Sequence, residues 1–496
     1  MKHSLAYITL LTAALVLATA CRKKTDDTAP VISVDKTQIS VGSEPQQVSI
    51  DYRISNITDG ESLYLSATVD DEWVSGIDLS VENEISFQVE GNDLPITRST
   101  TLHVTCPGAA AADIRIDQLP TPPTEAEQTL IYYFIGTSLG RYFDYNIADT
   151  KTAIAGDILG QSRVIYLRQT SRTAAVICEL RYDPIEGGCV EQQIEQIDVP
   201  AAEFSAADMA ANLRHIIEIA PARRYGLIVA GHSTGWVRKD ADSGSATTFG
   251  LRPHYDAWTP AAGAETTRTF GENNVKMDIT ELAEGIEGAG AEFDYILFDA
   301  CFMSNIEALY DLQDAAHYII ASPCEIMGRG FPYHRTLPYL MEEKGRSSDL
   351  MAAAESYWLY YRDEYAGSAR CGSVALIDCT ELKPLAEAAR EVLATATKDY
   401  DVSALQSYEG QTPHTFFDMG EFYTVTATDQ AALDKFRSQL SRCVVAKYTL
   451  PTFYSALGSY GTYPIDESVY SGVTTSLPSS RYPDALKTTS WWKATH

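Results

Sequence analysis

Two residues combine reactive side chains with placements suited to chemistry: Cys301 and His232. Cys301 lies in the stretch from Tyr295 to Leu312, YILFDACFMSNIEALYDL. Tyr295, Ile296, Leu297 and Phe298 are continuously apolar and predict a buried strand, which turns at Asp299-Ala300-Cys301. After the turn, Met303, Ile306, Leu309, Tyr310 and Gln313 follow helical spacing. Cys301 is therefore expected where a strand gives way to a helix, and the N–H groups and positive potential of a helix N-terminus favour thiolate. His232 has a similar setting. Tyr225 to Ala230, YGLIVA, reads as a second apolar strand and runs directly into Gly231-His232-Ser233-Thr234-Gly235-Trp236. Two such residues, each just past a buried parallel strand, meet at the carboxyl edge of one sheet, where open α/β sheets place their sites. A Cys–His dyad for nucleophilic catalysis is the chemistry they suggest. The ordinary alternative is a Cys buried as a small apolar residue and a His that satisfies backbone groups beside a glycine turn.

The elements that must hold these residues begin at Leu130. Leu130 to Ile135 reads as a buried strand, Asn146 to Leu159 as weakly helical, and Arg163 to Leu167 and Ala174 to Leu180 as strands. Phe204 to Ile219 is amphipathic, with Met209, Leu213, Ile216 and Ile217 on one side. Asp278 followed by Glu281 opens a further helix with a capping-box signature. A strand at Tyr318-Ile319-Ile320, a helix over 348–362, a strand from Val374 to Ile377 and helices near 381–397 and 428–446 complete the pattern. Strands alternating with helices predict an α/β unit with a mainly parallel sheet, spanning residues 129–496.

Ahead of it the period changes to two. Val48, Ile50, Tyr52 and Ile54 alternate with polar residues, as do Ile85, Phe87 and Val89, then Leu102, Val104 and Cys106, then Ile114 and Ile116. Residues 31–119 are expected to form a small all-β sandwich, and 120–128, with three prolines between Gln118 and Gln128, a semi-rigid linker. Lys2, His3 and the apolar run from Leu5 to Ala20 predict an export signal over residues 1–20. Ala18-Thr19-Ala20-Cys21 resembles a bacterial lipoprotein cleavage site, although Leu17 stands one place earlier than the usual Leu. Cys21 is then the lipidated residue, 21–30 a polar tether, and the predicted location the cell envelope, at the outer membrane. A plain signal peptide cut nearby is the alternative.

The sequence resembles known families in both parts. His232-Ser233-Thr234-Gly235-Trp236 and Phe298-Asp299-Ala300-Cys301-Phe302-Met303-Ser304 look like the paired His and Cys motifs of the clostripain family of cysteine peptidases. Met277-Asp278-Ile279-Thr280-Glu281-Leu282, Ala321-Ser322-Pro323-Cys324-Glu325, Phe331-Pro332-Tyr333, Phe417-Asp418-Met419 and Tyr470-Ser471-Gly472-Val473-Thr474-Thr475 agree in the family's order. The resemblance implies a caspase-like sheet flanked by helices, with Cys301 as the nucleophile and His232 as the general acid–base. Backbone N–H groups at Ser233 and Cys301 would stabilise the oxyanion. Ser233 departs from the family's usual Gly; a Ser costs little there unless the turn needs positive φ. The family prefers Arg, sometimes Lys, before the scissile bond, and Asp299 matches an acidic residue implicated in that pocket. Asp299 equally suits a helix cap or a turn-orienting role. Glu325 is the second pocket candidate. No preformed thiolate–imidazolium pair is implied. The long polar stretch from Val237 to Asn274 is a candidate lid, and its Arg238, Lys239, Arg252 and Arg268 are candidate self-cleavage sites, as in some relatives. Calcium dependence occurs in part of the family; there is no EF-hand-like loop here, and Asp240 and Asp242 do not decide it.

In the N-terminal part, Glu72-Trp73-Val74, Arg98 and Ile114-Arg115-Ile116-Asp117-Gln118 resemble the BACON domain of Bacteroidetes surface proteins. That resemblance implies glycan or mucin as a partner, with Trp73 either stacking on a sugar or packing the sandwich.

Composition narrows the remaining classes. With 67 acidic against 38 basic residues, a net charge of −29 argues against a nucleic-acid or anionic-membrane binder and is compatible with cationic peptides. No CxxC spacing occurs among the nine cysteines, which argues against a zinc site, and no metal or other cofactor is called for. The stretch from Gly231 to Gly235 lacks the nucleophile-elbow order of a serine hydrolase. Two readings remain: a cysteine endopeptidase cleaving after basic residues, and a catalytically silent surface lipoprotein that binds glycan or mucin.

Overall fold

In the computed structural model the described residues are 29–57, 64–93, 97–119, 121, 125–184, 187–200, 204–238, 264, 277–342 and 346–496. The export signal, Cys21, Lys239, Asp240, Asp242, Arg252 and Arg268 lie outside them. The chain divides into two compact units, Met1–Thr121 and Pro122–His496. Among the described residues no helix is long and apolar enough to cross a membrane.

The first unit contains β1 (Val31–Val34), β2 (Gln38–Val41), β3 (Gln46–Ser55), β4 (Ser66–Val69), β5 (Val74–Asp78), β6 (Glu84–Val89), β7 (Arg98–Thr105) and β8 (Ala112–Gln118). They form two four-stranded sheets, ordered β1-β3-β6-β5 and β2-β8-β7-β4. The period-two residues explain the pairing: Ile50, Ile85 and Phe87 of one sheet and Leu102, Val104, Ile114 and Ile116 of the other share one buried cluster. Trp73 packs against that cluster, and the Arg98 guanidinium lies 4.5 Å over its ring. This geometry gives Trp73 a packing role.

In the second unit the elements that build the site are β9 (Thr129–Phe134), α1 (Gly140–Ile154), β10 (Arg163–Ser171), β11 (Ala174–Asp183), β12 (Gly188–Asp198), α2 (Ala206–Ile219), β13 (Tyr225–Ala230), α3 (Ile279–Glu287) and β14 (Phe293–Asp299). After them come α4 (Ile306–Asp311), β15 (Ala316–Ala321), α5 (Tyr333–Met341), α6 (Arg346–Glu364), β16 (Val374–Asp378), α7 (Leu382–Leu393), β17 (Phe417–Asp418), α8 (Met419–Thr426), α9 (Gln430–Cys443), β18 (Val444–Tyr448), β19 (Thr452–Ser455), β20 (Gly461–Pro464) and β21 (Thr474–Thr475). Among the described residues nine strands form one sheet, ordered β12-β11-β10-β9-β13-β14-β15-β16-β18. The five from β10 to β15 in that order are parallel to one another, and both margins are antiparallel. Every residue of β9 and of β13 is buried, as continuous apolar runs in a two-sided sheet require. The chain moves outward from β9 through β10 to β12 and then returns to β9's other side as β13. That reversal is the topological switch point, where the carboxyl ends of the strands leave a crevice.

The mainly parallel sheet and the flanking helices agree with the sequence pattern, and Asp278 and Glu281 form their capping box on α3. Three elements differ. Helix α1 starts at Gly140, six residues before the expected start, with Phe143, Ile147 and Ile154 buried. Strands β12 and β18 carry too few buried residues for their alternation to stand out; they are held by pairing to β11 and β16.

Candidate active site

Strands β13 and β14 pair in parallel with Ala230 opposite Asp299. His232 and Cys301 each lie two residues beyond that pair, so equal chain lengths carry them off neighbouring strands about 4.8 Å apart. Both turns are anchored. The Gly231 amide donates to the Asp299 carbonyl, and the Ile135 amide beyond β9 donates to the Ala230 carbonyl.

Beyond Cys301 the chain does not enter a helix directly, which corrects the expected strand-to-helix placement. The Phe302 amide donates to the Cys324 carbonyl (3.0 Å) and the Ser304 amide to the Ser322 carbonyl (2.9 Å). These donors reach sideways to the segment after β15 instead of winding a turn. Phe302 has φ 59, the left-handed region that bulky side chains avoid. Helix α4 begins only at Ile306, and its cap is Asn305, whose side chain accepts from the Ala308 amide. Cys301 therefore does not stand at the helix N-terminus, and Asp299 is not the helix cap.

The turn of His232 locks against that of Cys301. Ser233 Oγ donates to Met303 Sδ (2.9 Å) and accepts from the Gly235 amide (3.0 Å). Among the described residues of this turn positive φ falls on Gly235, at 61°, and not on Ser233. Ser233 thus occupies its position without the backbone strain its departure from Gly could have brought. A Cβ on Gly235 would stand 2.9 Å from the Phe302 carbonyl oxygen and 3.2 Å from the Phe416 ring. Phe416 stacks on Phe302 with ring centroids 4.7 Å apart. Its amide donates to the buried Glu409 carboxylate. Trp236 Nε1 donates to Ser476 Oγ (2.8 Å), which ties the same turn to the segment after β21.

One contact has no counterpart in the sequence pattern. Ser138 Oγ, from the turn between β9 and α1, stands 2.8 Å from His232 Nε2. Its only sequence signal is a polar Gly-Thr-Ser turn directly after a buried strand.

The acidic candidates have defined partners. Asp299 is fully buried, and its Oδ2 accepts from the Phe331 amide (3.2 Å) and the Tyr333 hydroxyl (2.8 Å). Asp299 thus binds the segment that follows β15, thirty-odd residues downstream. Glu325 is buried as well. Both its oxygens accept from the Ala456 amide (3.1 Å each), and one also accepts from the Ser455 hydroxyl at the end of β19. The stretch after β15 that holds Glu325 also covers the thiol: Cys301 is 0 % exposed, and the Ile326 amide donates to its sulfur (3.2 Å). Nearby, burial pushes the Cys324 thiol well above the usual range, which keeps it protonated and inert. Glu307, on the first turn of α4, is pushed up to about 7 by burial, against the Ser476 amide and the Thr475 and Asn305 side chains that favour its charge. A cavity of about 80 Å³ runs beside the His232 turn, lined by Gly136, Thr234, Val237, Leu282 and Met303 among others.

Comparisons with known proteins identify the family. Residues 188–430 match the model of the clostripain family, Peptidase_C11. The crystal structure of a secreted C11 cysteine protease from Bacteroides thetaiotaomicron, iotapain, is 31% identical, with a TM-score of 0.64 over 75% of this chain and 100% of its own. The chain belongs to the clostripain family of cysteine proteases. An inactive zymogen C11 protease from Parabacteroides distasonis is 25% identical, with a TM-score of 0.61 over 76% of this chain and all of its own. A second secreted C11 cysteine protease from B. thetaiotaomicron, solved with an irreversible peptide inhibitor, shares the fold at 22% identity and a TM-score of 0.61, covering 75% of this chain and 99% of its own. No curated protein matches the chain. As a clostripain-family protease the chain hydrolyses peptide bonds by cysteine chemistry.

Proposed function

We propose that the chain is an exported endopeptidase that cleaves after Arg or Lys, with Cys301 as nucleophile and His232 as general acid–base. The observation that carries this reading is the shared register: a thiol and an imidazole each two residues past the Ala230–Asp299 pair. The Cys301 sulfur attacks the peptide carbonyl carbon after its proton passes to His232. Collapse of the tetrahedral intermediate breaks the C–N bond as His232 returns the proton to the leaving amine, leaving a thioester. Water deprotonated by His232 then attacks the thioester, releasing the acid and restoring the thiol. Backbone N–H groups of Ser233 and Cys301 serve the oxyanion.

Asp299 supplies the charge for a guanidinium or ammonium group. We assign it that role ahead of Glu325, whose two oxygens both hold the Ser455–Ala456 segment. Because Cys301 and Asp299 are both covered by the segment containing Ile326 and Phe331, productive binding displaces that segment. Cys21 carries the lipid anchor in the cell envelope, and the N-terminal sandwich is a BACON-like domain that acts as a spacer or binds glycan.

Hydrolysis of fluorogenic peptides ending in Arg, Lys, Asp or Ala, by wild type and Cys301→Ala, tests the reading. Cleavage after Arg or Lys that vanishes in the variant is expected. Cleavage after Asp or Ala alone discards the role of Asp299. Absence of Cys301-dependent turnover, with or without calcium and prior trypsin treatment, together with failure of an Arg-directed acyloxymethyl ketone to label Cys301, would leave the silent glycan-binding lipoprotein.

A further inference from the structure

The sheet order places His232 between two turns. Strand β13 lies between β9 and β14, so the turn carrying Ser138 flanks His232 on one side and the turn carrying Cys301 on the other. The imidazole nitrogen within 2.8 Å of Ser138 Oγ is Nε2. We propose that Ser138 is a positioning residue that accepts the Nε2 proton of His232, and so reserves Nδ1 for proton exchange with Cys301 and the leaving amine.

The turn that carries Ser138 is built to hold it in place. Gly136 has φ 101, where a residue with a Cβ would be strained, and its amide donates to the buried Gln169 side chain of β10 (3.0 Å). Arg168, beside Gln169, donates to the Gly140 carbonyl (3.1 Å). The Gly140 amide closes the turn on the Thr137 carbonyl (3.1 Å). Three bonds thus fix residues 136–140 on either side of Ser138. On the facing side the Ile135 amide fixes β9 to β13 at the Ala230 carbonyl (3.0 Å), two residues before His232.

The chemistry follows from the two tautomers of neutral imidazole. With its proton on Nε2, donated to Ser138, His232 presents a lone pair at Nδ1. That nitrogen takes the thiol proton, and the resulting imidazolium keeps its Nε2–H on Ser138 while Nδ1–H passes to the leaving amine. The other tautomer would present a proton to the thiol where a base is needed. A hydroxyl is a neutral partner, so it holds the ring without keeping it charged, and as the acceptor of the Nε2 proton it leaves Nδ1 as the base.

The proposal rests on the reading of Cys301 and His232 as the reacting pair, and one of its tests does not. Ser138→Thr and Ser138→Val are nearly isosteric, with and without the hydroxyl. In protein carrying ¹⁵N-histidine, with the His232 signals assigned by difference from His232→Ala, the Nε2-protonated tautomer is expected in wild type and Ser138→Thr, and a mixture in Ser138→Val. In peptide hydrolysis Ser138→Val is expected to lose about tenfold in kcat, the worth of one neutral hydrogen bond, with KM unchanged and Ser138→Thr near wild type. An unchanged tautomer in Ser138→Val overturns the proposal even if the wild type cleaves none of the peptides tried. Ser138-dependent turnover that survives in Cys301→Ala also overturns it, because Ser138 would then be a nucleophile.

Discussion

Gly235→Ala probes the contact that keeps the His232 and Cys301 turns in register. The substitution meets two obstacles. Gly235 has φ 61, and its added methyl would lie 2.9 Å from the Phe302 carbonyl oxygen and 3.2 Å from the Phe416 ring. Left-handed backbone costs an alanine about 1–2 kcal/mol. Overpacking against fixed atoms adds about 1–3 kcal/mol. The carbonyl cannot retreat easily, because Phe302 is itself held in the left-handed region with its amide on the Cys324 carbonyl. The expected loss is therefore about 2–5 kcal/mol if the turns stay together. If they part instead, stability is partly spared and the reacting groups separate, and a displacement near 1 Å costs about a hundredfold in rate. Urea unfolding followed by tryptophan fluorescence, together with kcat on an Arg peptide, measures both branches. Gly461→Ala is the control: a methyl there meets nothing within 4 Å, so a change under about 1 kcal/mol is expected. Gly235→Ala with unfolding free energy within about 0.5 kcal/mol of wild type and unaltered kcat would refute the packing argument.

Other perturbations test separate parts of the site. Asp299→Asn should lower kcat/KM for Arg and Lys peptides at least about tenfold, the lower range for a charge-assisted bond, and an equal loss on every peptide would assign Asp299 to the turn instead. Tyr333→Phe removes one donor to Asp299 from the segment over Cys301, so alkylation of Cys301 by iodoacetamide should speed up; an unchanged rate would mean that segment does not gate the thiol. Asn305→Ala removes the α4 cap and a donor to the buried Glu307, and should cost about 2–3 kcal/mol in urea unfolding. Glu307 supplies a pH dependence: its carboxyl is raised to about 7 in the folded chain, above its ordinary value near 4.5. Between those values the folded state keeps a proton that the unfolded state has released. Stability therefore falls as pH rises from about 4.5 to about 7 and stays lower above, by up to about 3 kcal/mol. Glu307→Gln should lack this slope, so its stability relative to wild type should improve between pH 5 and pH 8; a constant difference would count against it.

The sequence made the strands next to the site legible because β9, β13 and β14 are buried on both faces and read as unbroken apolar runs. Cys301 and His232 stood out for the same reason: each follows such a run at a short, fixed distance. The helix begins later than the spacing predicts because Met303 points inward from the non-helical stretch before α4, where it meets Ser233 Oγ, so its burial imitates helical spacing. The partners of the acidic residues could not be read at all. Asp299 bonds to Phe331 and Tyr333, and Glu325 to Ser455 and Ala456. These contacts are fixed by how the segments after β15 and β18 fold back, which no local pattern encodes. Ser138 was invisible for a related reason: a small polar residue in a glycine turn has no period, and its value lies in β9 standing next to β13.

Under the proposed preference for Arg or Lys, the same partners tie access and specificity to one displacement. A buried carboxylate is costly unless donors satisfy it, and Asp299 takes two of them from the Phe331–Tyr333 segment. The Ile326 amide, five residues before Phe331, rests on the Cys301 sulfur, so in the proposed mode displacing the stretch from Ile326 to Tyr333 withdraws both the Asp299 donors and the cover of the nucleophile. In the proposed mode, a peptide with an apolar side chain brings no donors to replace those of Phe331 and Tyr333 at Asp299. A guanidinium offers two parallel donors that replace those withdrawn. Under the proposed preference for Arg or Lys, a basic residue replaces the donors that leave with the Phe331–Tyr333 segment, and discrimination should therefore appear in the rate at which Cys301 becomes reachable as well as in affinity.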